Sequence, residues 1–404
     1  MATYRLFAST SGPSSPVSYS GPFEAGLLFQ VNSGGIWLDG YWWWVCDAGQ
    51  STPAQEFALW AVYTAGTGAP VPTATVKSGT LTAGQWNYVP LPEPIPLSIG
   101  ACYNACTGFS GSFPSTNSQF GSGEPYAAGI ASGPLLAFSD VSGTQPAPFS
   151  MGQAPYGATS TDPSAVMPVQ SYGSGNFWMD LQVTDVAPPG ASCRLWPNYP
   201  VIPPTTNDDD LEQTFGTEFL LGQPCTLDNI WFYSPPAVSP AALPTICAIW
   251  DVATRQVVSG TQNNSPSWSG AAASGWVSCS YSGVTLPAGD YKVTVYTPGG
   301  SDNFYQETEA YFGTGGGANG IAAGPLTAPD TASASAPGQT TYFHGGFGYP
   351  DTYDTDFDGQ NRWVDVEVTP AAGSTPTPTA TSSPSSTTTT PSTTNSNAFA
   401  AFFP

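Results

Sequence analysis

The sequence predicts an all-β protein made of two tandem antiparallel β-sandwich domains, jelly-roll-like in form, and a disordered C-terminal tail. Glycine (45 residues) and proline (42 residues) are abundant, and few windows of the 404-residue chain place apolar residues at the helical period. Short β-branched and aromatic runs alternate instead with clusters of glycine, proline, serine and asparagine, as in strands joined by turns. Almost every such run occurs twice, in the same order. A closed barrel is the alternative for each copy.

An internal repeat sets the domain boundaries. Ordered blocks with nearly constant spacing indicate two copies of one structural unit. We predict copy one at residues 1–187 and copy two at residues 191–370, joined by a short stiff linker, Ala-Pro-Pro-Gly. The matched blocks are 4–7 with 193–196, 38–39 with 227–228, 57–60 with 247–250, Trp86 with Trp276, 129–135 with 320–326, and 178–183 with 363–368.

The most aromatic stretch is residues 40–45, GYWWWV, and its counterpart is residues 229–234, NIWFYS. Side chains alternate between the two faces of a strand, so two aromatic residues in each copy point away from the core. The alignment predicts inward side chains for Tyr41, Trp43, Ile230 and Phe232. It predicts outward side chains for Trp42, Trp44, Trp231 and Tyr233. Such outward rings stack on sugar faces, contact a neighbouring subunit, or form a second internal layer beneath the loops of residues 108–176.

The closing strand of copy two, residues 363–368, alternates between apolar and polar side chains. Val364, Val366 and Val368 form the predicted core face, and Asp365 and Glu367 lie on the other face. We expect Val366→Asp to unfold copy two, because an unpaired buried charge is costly, and Glu367→Ala to be nearly silent.

The charge balance of the chain excludes several classes of partner. The sequence carries 28 acidic residues against 6 Lys and Arg, a formal net charge of −22. Nucleic acids and anionic membrane surfaces both require cationic contacts, so we expect neither as a partner, whereas binding of metal cations is favoured. No apolar run is long enough to cross a bilayer, and we expect no membrane insertion.

The N-terminus and the cysteines bear on the compartment. No basic segment followed by an apolar segment opens the sequence, so we expect no secretory signal. The seven cysteines have no zinc-type spacing. Cys102 and Cys106 lie four residues apart, on one face of a predicted strand, and are expected to be buried thiols. The expectation is a chain that folds in a reducing cytoplasm without disulfide bonds.

Calcium is the one candidate cofactor, at an acidic loop in copy two. Residues 354–359 read DTDFDG and are followed by Asp365, close to the calcium-loop pattern with oxygen ligands at positions 1, 3, 5 and 12 and a glycine at position 6. An acidic solvated turn is the alternative. Because Asp365 has a counterpart in Asp180, where copy one lacks an acidic loop, we also expect Asp365 to accept hydrogen bonds independently of calcium. The candidate ligands are Asp354, Asp356, Asp358, Gln360 and Asp365.

Residues suited to catalysis are scarce in this sequence. His344 is its only histidine, and we expect it to be structural, because triad chemistry needs partners in fixed roles. The sequence contains no nucleophile-elbow, zinc-protease or phosphate-loop motif. We therefore predict that the protein is not an enzyme. A glycosidase that uses paired carboxylates is the third-ranked alternative.

The C-terminal part of the chain is predicted to be a tether that ends in an apolar peptide. Residues 371–394 are largely serine, threonine and proline, a composition that cannot bury enough apolar surface to fold. Residues 395–404 carry Phe399, Phe402 and Phe403 at the spacing of one helical face. We expect these phenylalanines to dock in a groove of a partner protein. An unstructured end is the alternative.

The ordered blocks also carry a family resemblance. The landmarks are the E-x-G-x-x-F pattern at 24–29, the aromatic strand at 40–44, Leu59-Trp60, Gly133-Pro134-Leu135, Gly275-Trp276, the A-G-x-Y pattern at 288–291, and the closing segments 177–181 and 362–366. Each copy resembles an uncharacterised β-sandwich domain family of secreted actinobacterial proteins and actinobacteriophage minor tail proteins. The resemblance implies the sandwich fold and carries no agreed activity.

The resemblance and the missing export signal together lead us to expect a phage virion structural protein. It would be a minor tail or head-decoration component that mediates assembly or contact with host-surface glycans. Its partners would be other virion proteins and host cell-wall glycans, with several copies on one particle. A carbohydrate-binding adhesin of an actinobacterial envelope, located at the cell surface, is the alternative.

Overall fold

The structure is a computed structural model, and every structural statement below concerns the residues that it describes. These residues are 2–7, 12–13, 22–46, 55–64, 67–71, 73–110, 113–116, 119–120, 122, 126–139, 153–157, 161–171, 175–188, 190–197, 205–208, 211–234, 243–270, 275–299, 304–315, 317–353 and 359–371.

The described residues form strands and turns and contain no α-helix, which confirms the all-β prediction. None of them forms a helix able to cross a membrane. The strands of copy one are β1 (Thr3–Tyr4), β2 (Pro22–Val31), β3 (Ile36–Val45), β4 (Glu56–Thr64), β5 (Thr67–Pro70), β6 (Val76–Lys77), β7 (Gln85–Leu97), β8 (Cys102–Ser110), β9 (Ile130–Ser132), β10 (Leu135–Ala137), β11 (Pro155–Gly157), β12 (Gln170–Ser171) and β13 (Met179–Thr184).

Copy two contributes fifteen strands to the described part of the chain. They are β14 (Cys193–Arg194), β15 (Thr205–Asp208), β16 (Gln213–Leu221), β17 (Cys225–Ser234), β18 (Ile246–Asp251), β19 (Gln256–Val257), β20 (Ser269–Gly270), β21 (Gly275–Ser280), β22 (Thr285–Leu286), β23 (Gly289–Thr297), β24 (Phe304–Glu307), β25 (Ile321–Ala323), β26 (Leu326–Ala328), β27 (Thr340–His344) and β28 (Val364–Pro370).

The strands of each copy are arranged in two large antiparallel sheets, in a shared order. Copy one has a four-stranded sheet, β1-β13-β3-β7, and a nine-stranded sheet with the central order β2-β8-β4. Copy two has a six-stranded sheet, β14-β28-β17-β21-β20, with β22 beside β17, and a seven-stranded sheet with the central order β16-β23-β18. In both copies the closing strand therefore lies between the first short strand and the aromatic strand. Among the described residues, no sheet takes strands from both copies.

The main apolar core of each copy draws residues from both of its large sheets. Tyr41 and Trp43 of β3 lie in the first core with residues of β2, β4 and β8, and are 0 % and 1 % exposed. Ile230 and Phe232 of β17 are fully buried in the second core. The inward orientation predicted for these four side chains is confirmed. Each side chain buried in this way stabilises the fold by roughly 1.5–3 kcal/mol.

The two copies also contact each other directly. Trp37, at the start of β3 in copy one, is 4 % exposed and packs into the core of copy two. The turn before it is close to copy two, because a Cβ added at Gly34 would overlap the backbone of Ala322. Ile99 and Cys193 line the same narrow contact from opposite copies. The interface is therefore close-packed between β3 of one copy and the β25–β26 hairpin of the other.

Candidate functional site

An arginine and two tryptophans form the main side-chain cluster on the outer face of the four-stranded sheet. Arg5 follows β1, and its Nε donates a hydrogen bond to Asp180 Oδ2 of β13 at 3.2 Å. Its guanidinium carbon lies 3.9 Å from the ring centroid of Trp42 and 5.1 Å from that of Trp86. This geometry is a cation–π contact, which is stronger where the cation is shielded from water. We call these four residues the arginine cluster of copy one.

Asp180 is the anchor of this cluster. Its carboxylate is fully buried and accepts hydrogen bonds from the backbone N–H groups of Leu6, Phe7 and Leu181 as well as from Arg5. Burial raises the pKa of Asp180 to about 6, while the charge of Arg5 and the three N–H groups act in the opposite direction. The aspartate thus attaches the N-terminal segment to the closing strand.

Copy two repeats the cluster residue by residue. Arg194 Nε donates to Asp365 Oδ2 at 3.2 Å, and the guanidinium carbon lies 3.8 Å from the centroid of Trp231 and 4.8 Å from that of Trp276. Asp365 also accepts the N–H groups of Leu195, Trp196 and Val366. Burial raises the pKa of Asp365 above its ordinary value, and Arg194 lowers it. The arginine cluster of copy two is Arg194, Trp231, Trp276 and Asp365.

This arrangement corrects the prediction that Asp365 is a calcium ligand. Asp365 is fully buried, and each of its oxygens already accepts two N–H groups. Its expected second role, accepting hydrogen bonds at the end of the sheet, is the one that the geometry supports. The Gln360 side chain is also engaged: with its nitrogen oriented towards Glu307 Oε2 at 2.9 Å, its oxygen accepts Arg362 Nε at 3.0 Å.

The other predicted calcium ligands, Asp354, Asp356 and Asp358, lie outside the described residues, as do Phe399, Phe402 and Phe403 of the C-terminal peptide. Within the described ranges, no three His, Cys, Asp or Glu side chains gather as a metal site would require. The calcium loop and the docking peptide therefore stay predictions. His344 ends β27, exposed, with its ring 4.9 Å from that of Tyr342.

The four aromatic residues predicted to point outward fall into two groups. Trp44 and Tyr233 are only 9 % and 5 % exposed, so their predicted availability as contact residues is wrong. Trp44 packs on Trp178 and Cys46, and its indole N–H donates to the carbonyl oxygen of Pro13 at 3.1 Å. The part of the N-terminal segment that comes after Arg5 in the sequence therefore covers the Trp44 ring.

Trp42 and Trp231 remain partly exposed. The order β1-β13-β3-β7 brings Arg5 and Tyr88 to Trp42 from opposite sides of β3, with the Tyr88 centroid 4.9 Å from the Trp42 centroid. In copy two, the Trp231 indole N–H donates to Glu367 Oε2 at 2.9 Å. Both rings are therefore held by contacts within the protein, with an arginine over the ring and a hydrogen bond from the indole N–H.

The tryptophan before each closing strand has an unusual backbone conformation. Trp178 and Trp363 have φ values of 52° and 50°, in the left-handed region that bulky residues rarely adopt. Each backbone N–H donates to an asparagine side chain two residues earlier, at 2.8 Å and 3.0 Å. Each indole N–H donates to a threonine hydroxyl, at 2.9 Å and 3.1 Å. These bonds hold the strained residue beside the arginine cluster in both copies.

A second charged cluster occurs on the outer face of the seven-stranded sheet of copy two. Lys292 Nζ lies 3.5 Å from Glu218 Oε2 and donates to Thr341 Oγ1 at 2.9 Å. Ser335 joins this pair to Asp290, because its N–H donates to Glu218 and its hydroxyl to Asp290. Burial lowers the pKa of Lys292 and raises that of Glu218. The Lys292 and Glu218 side chains are 0 % and 1 % exposed, so a substrate has no access to the pair.

Sequence reasoning missed the role of both arginines and the whole Lys292 cluster. Arg5 and Arg194 did stand out as matched positions in a chain with only 6 basic residues, and that rarity was the available signal. Lys292 has no matched counterpart, because the equivalent residue beside β2 is Asn104. Its pairing with Glu218 depends on strand register, which the sequence pattern did not reveal.

Comparison with known proteins adds little to this description. No protein-family model matches the chain, and no curated protein matches it. Among solved structures, a clostridial cysteine protease, Cwp84 after propeptide cleavage, is similar with a TM-score of 0.23 and 14 % identity, over 42 % of this chain and 37 % of that chain. The match spans little more than a third of that protease, and a similarity this low carries no argument about fold or activity.

Proposed function

We propose that this chain is a structural, non-catalytic protein of a phage virion, a minor tail or head-decoration component present in several copies. The observation that carries the proposal is the arginine cluster, which occurs in both copies and incorporates the outward tryptophans into the scaffold. These tryptophans stabilise the fold of the protein itself. The protein is therefore better suited to assembly than to stacking on sugars.

Two further features support an assembly role over catalysis. The charged side chains in unusual environments, Asp180, Asp365, Glu218 and Lys292, are fully buried or nearly so and already paired with partners inside the protein. Active sites instead keep such groups within reach of a substrate. The family resemblance of both copies to phage tail proteins points in the same direction.

Quantitative mass spectrometry of gradient-purified particles tests this proposal. Particles would be washed in high salt, and the chain would be measured relative to the major capsid protein across the gradient. We expect a constant ratio that follows infectivity, because a structural component is present in fixed copy number. A chain found in the host envelope or the culture medium, and absent from washed particles, would contradict a virion role.

Carbohydrate binding at a cell or virion surface is the second candidate, because Trp42 and Trp231 retain partial exposure. Aromatic rings with nearby amide and carboxylate groups bind sugars well, and Gln182 Oε1 accepts the Trp42 indole N–H at 3.3 Å. A glycan array probed with the wild type and with Trp42→Ala and Trp231→Ala tests this candidate. Specific binding that is lost in a still-folded variant would favour the adhesin over the assembly protein.

A further inference from the structure

Two thiols meet in the core of copy two. Cys247 of β18 belongs to the seven-stranded sheet and Cys279 of β21 to the six-stranded sheet, and both point into the core between them, 0 % and 2 % exposed. The two thiols lie close enough for each to shift the pKa of the other, and the Asn263 side chain bonded to Cys279 belongs to a residue whose backbone is bonded to Cys247. This is a contact between sheets, formed by residues 32 positions apart in the sequence.

The surroundings of the pair hold both sulfur atoms in place. Asn263 Nδ2 donates to Cys279 Sγ at 3.3 Å, and the Asn263 backbone exchanges two hydrogen bonds with that of Cys247, at 2.9 Å and 3.1 Å. The Tyr281 hydroxyl lies 3.2 Å from Cys247 Sγ. Asn263 therefore contacts both cysteines and holds them near each other.

Copy one fills the equivalent space without sulfur. The residues that match Cys247 and Cys279 are Phe57 and Val89, both buried in the first core. Phe57 stacks on Tyr41 there, with a centroid distance of 5.5 Å. An apolar pair thus satisfies the packing requirement at this position of the fold, and the two cysteines of copy two offer a chemistry that packing alone does not need.

Three other thiols, those of Cys102, Cys106 and Cys225, have different surroundings. Cys102 and Cys106 lie on one strand, four residues apart, which separates them by roughly 13 Å at the usual rise per residue. Cys106 Sγ donates to the carbonyl oxygen of Pro163 at 3.4 Å, and Cys225 Sγ to that of Gln223 at 3.4 Å. Cys106 and Cys225 thus bond to backbone carbonyls, whereas Cys247 and Cys279 are joined through Asn263.

We propose that Cys247 and Cys279 are a disulfide-forming pair, which closes when the folded chain meets a low-molecular-weight disulfide such as oxidised glutathione. The Cys279 thiolate attacks one sulfur of the reagent and expels a thiolate, leaving a mixed disulfide. The Cys247 thiolate then attacks the Cys279 sulfur and expels the second thiolate. The two protein protons pass to the two released thiols, so the protein loses two electrons and the reagent gains them.

The order of attack follows from the hydrogen bonds. The bond from Cys247 is the main cause that lowers the pKa of the Cys279 thiol, and Asn263 adds to it. The same interaction raises the pKa of Cys247. Because the thiolate is the nucleophile, Cys279 is the attacking residue. The reagent reaches it by local opening at the rim, where Trp268 and Tyr281 are only partly buried.

The bond would cross-link the two sheets of copy two. A disulfide stabilises a fold mainly by restricting the unfolded chain, provided that the native geometry is not distorted. A particle protein released from a reducing cytoplasm would gain this cross-link only outside the cell. Copy two, which carries the pair, would then be the redox-sensitive half of the molecule.

Thiol mapping of the full chain tests the proposal. The native protein would be treated with oxidised glutathione, quenched in acid, unfolded and alkylated, and its peptides identified by mass spectrometry. We expect two of the seven thiols to be lost, no glutathione to remain, and one reductant-sensitive peptide to link positions 247 and 279. We also expect a higher Tm for the oxidised chain, which returns to its starting value on reduction.

Matched variants separate this bond from other oxidation. Cys247→Phe/Cys279→Val carries the residues of copy one and is expected to show five thiols and one Tm before and after treatment. Cys102→Ala/Cys106→Ala is expected to form the same 247–279 link as the wild type. The proposal is overturned if the wild type keeps all seven thiols, or if it retains glutathione on Cys279 while Cys247 stays open to alkylation.

Discussion

At the residue scale, an arginine–aspartate pair is the feature that organises each copy. The aspartate is fully buried in both copies, and the arginine side chain is 19 % exposed in copy one and 8 % exposed in copy two. Asp365 is enclosed and bonded by four N–H groups, and Arg194 is the cation that balances its charge. Exchanging a whole buried pair for apolar residues is often neutral, but removing one partner leaves a buried charge without compensation. The tryptophans extend this pairing, because the Arg194 guanidinium carbon lies 3.8 Å and 4.8 Å from the centroids of the Trp231 and Trp276 rings, in cation–π contact.

Arg194 and Arg255, two of the three arginines of copy two, have opposite exposure and allow a matched test. Arg194→Met is expected to lower the free energy of unfolding by about 3–5 kcal/mol, because it leaves Asp365 unpaired in the interior. Arg255→Met is the matched control, since the Arg255 and Asp351 side chains are 58 % and 48 % exposed and 3.9 Å apart. Urea denaturation of both variants measures the difference, and about 1 kcal/mol or less is expected for the control. Similar losses in the two variants would contradict the role given to the cluster.

At the element scale, successive side chains of the closing strand β28 alternate between the apolar core and the outer face that carries the arginine cluster. Val366 is fully buried in the second core, whereas Glu367 lies on the outer face and is only partly buried. The expectation that Glu367→Ala is silent needs revision. Glu367 accepts hydrogen bonds from Ser192 Oγ at 2.6 Å, Asn229 Nδ2 at 2.7 Å and the Trp231 indole at 2.9 Å.

Three substitutions in copy two are therefore expected to destabilise the fold to different extents. Val366→Asp is expected to unfold copy two, because it places a charge in a core with no partner. Glu367→Ala is expected to cost about 1–2 kcal/mol through its lost hydrogen bonds. Glu309→Ala, at an exposed position, is expected to change stability by no more than about 0.5 kcal/mol. Thermal unfolding of the three variants, followed by circular dichroism, measures the order of their stability losses. Equal effects of Val366→Asp and Glu367→Ala would contradict the orientation of β28.

The elements predictable from the sequence are those whose pattern is local. The alternation in β3, β17 and β28 correctly predicted the burial of Tyr41, Trp43 and Val366, because a strand face repeats every two residues. The burial of Trp44 was not predictable in this way. It depends on the N-terminal segment, where a Cβ at Gly12 would overlap the Trp44 ring, and such a long-range contact leaves no local pattern.

For the charged sites, too, local patterns were predictable and long-range contacts were not. The repeat placed Arg5 and Arg194 at matched positions, but their roles depend on the closing strand, more than 170 residues away in each copy. The acidic pattern of residues 354–359 suggested a ligand set that included Asp365. The strand register instead turns that carboxylate towards Arg194, so spacing alone could not identify its partner.

At the scale of the whole molecule, the two copies are held by a tight backbone contact as well as by a short linker. Trp37 of copy one is buried in the core of copy two, and Gly34 permits the close approach to Ala322. A direct, close-packed contact of this kind restricts relative motion of the copies. The molecule then presents the outer faces of both copies in a fixed relation to each other.

Two glycine substitutions in copy one test this contact. Gly34→Ala is expected to force the copies apart, because the new Cβ would overlap the Ala322 carbonyl oxygen, at a cost of about 1–3 kcal/mol. Gly79→Ala is the control, since nothing lies within 4 Å of a Cβ there. Small-angle scattering is expected to show a larger radius of gyration for the first variant only. Superimposable profiles for both variants and the wild type would argue against a close-packed interface.

Trp42 and Trp231 belong to the scaffold of the two copies. Calorimetric unfolding of the full chain with Trp42→Leu and with Trp231→Leu measures their contribution, because leucine keeps apolar bulk but removes the ring that faces the arginine. Each variant is predicted to lose about 2 kcal/mol of stability. Leu211→Ala, at a side chain that is 58 % exposed, is predicted to unfold like the wild type. If both tryptophan variants unfold like the wild type, a role of these rings in the scaffold is contradicted. The rings are then candidates for ligand contact again.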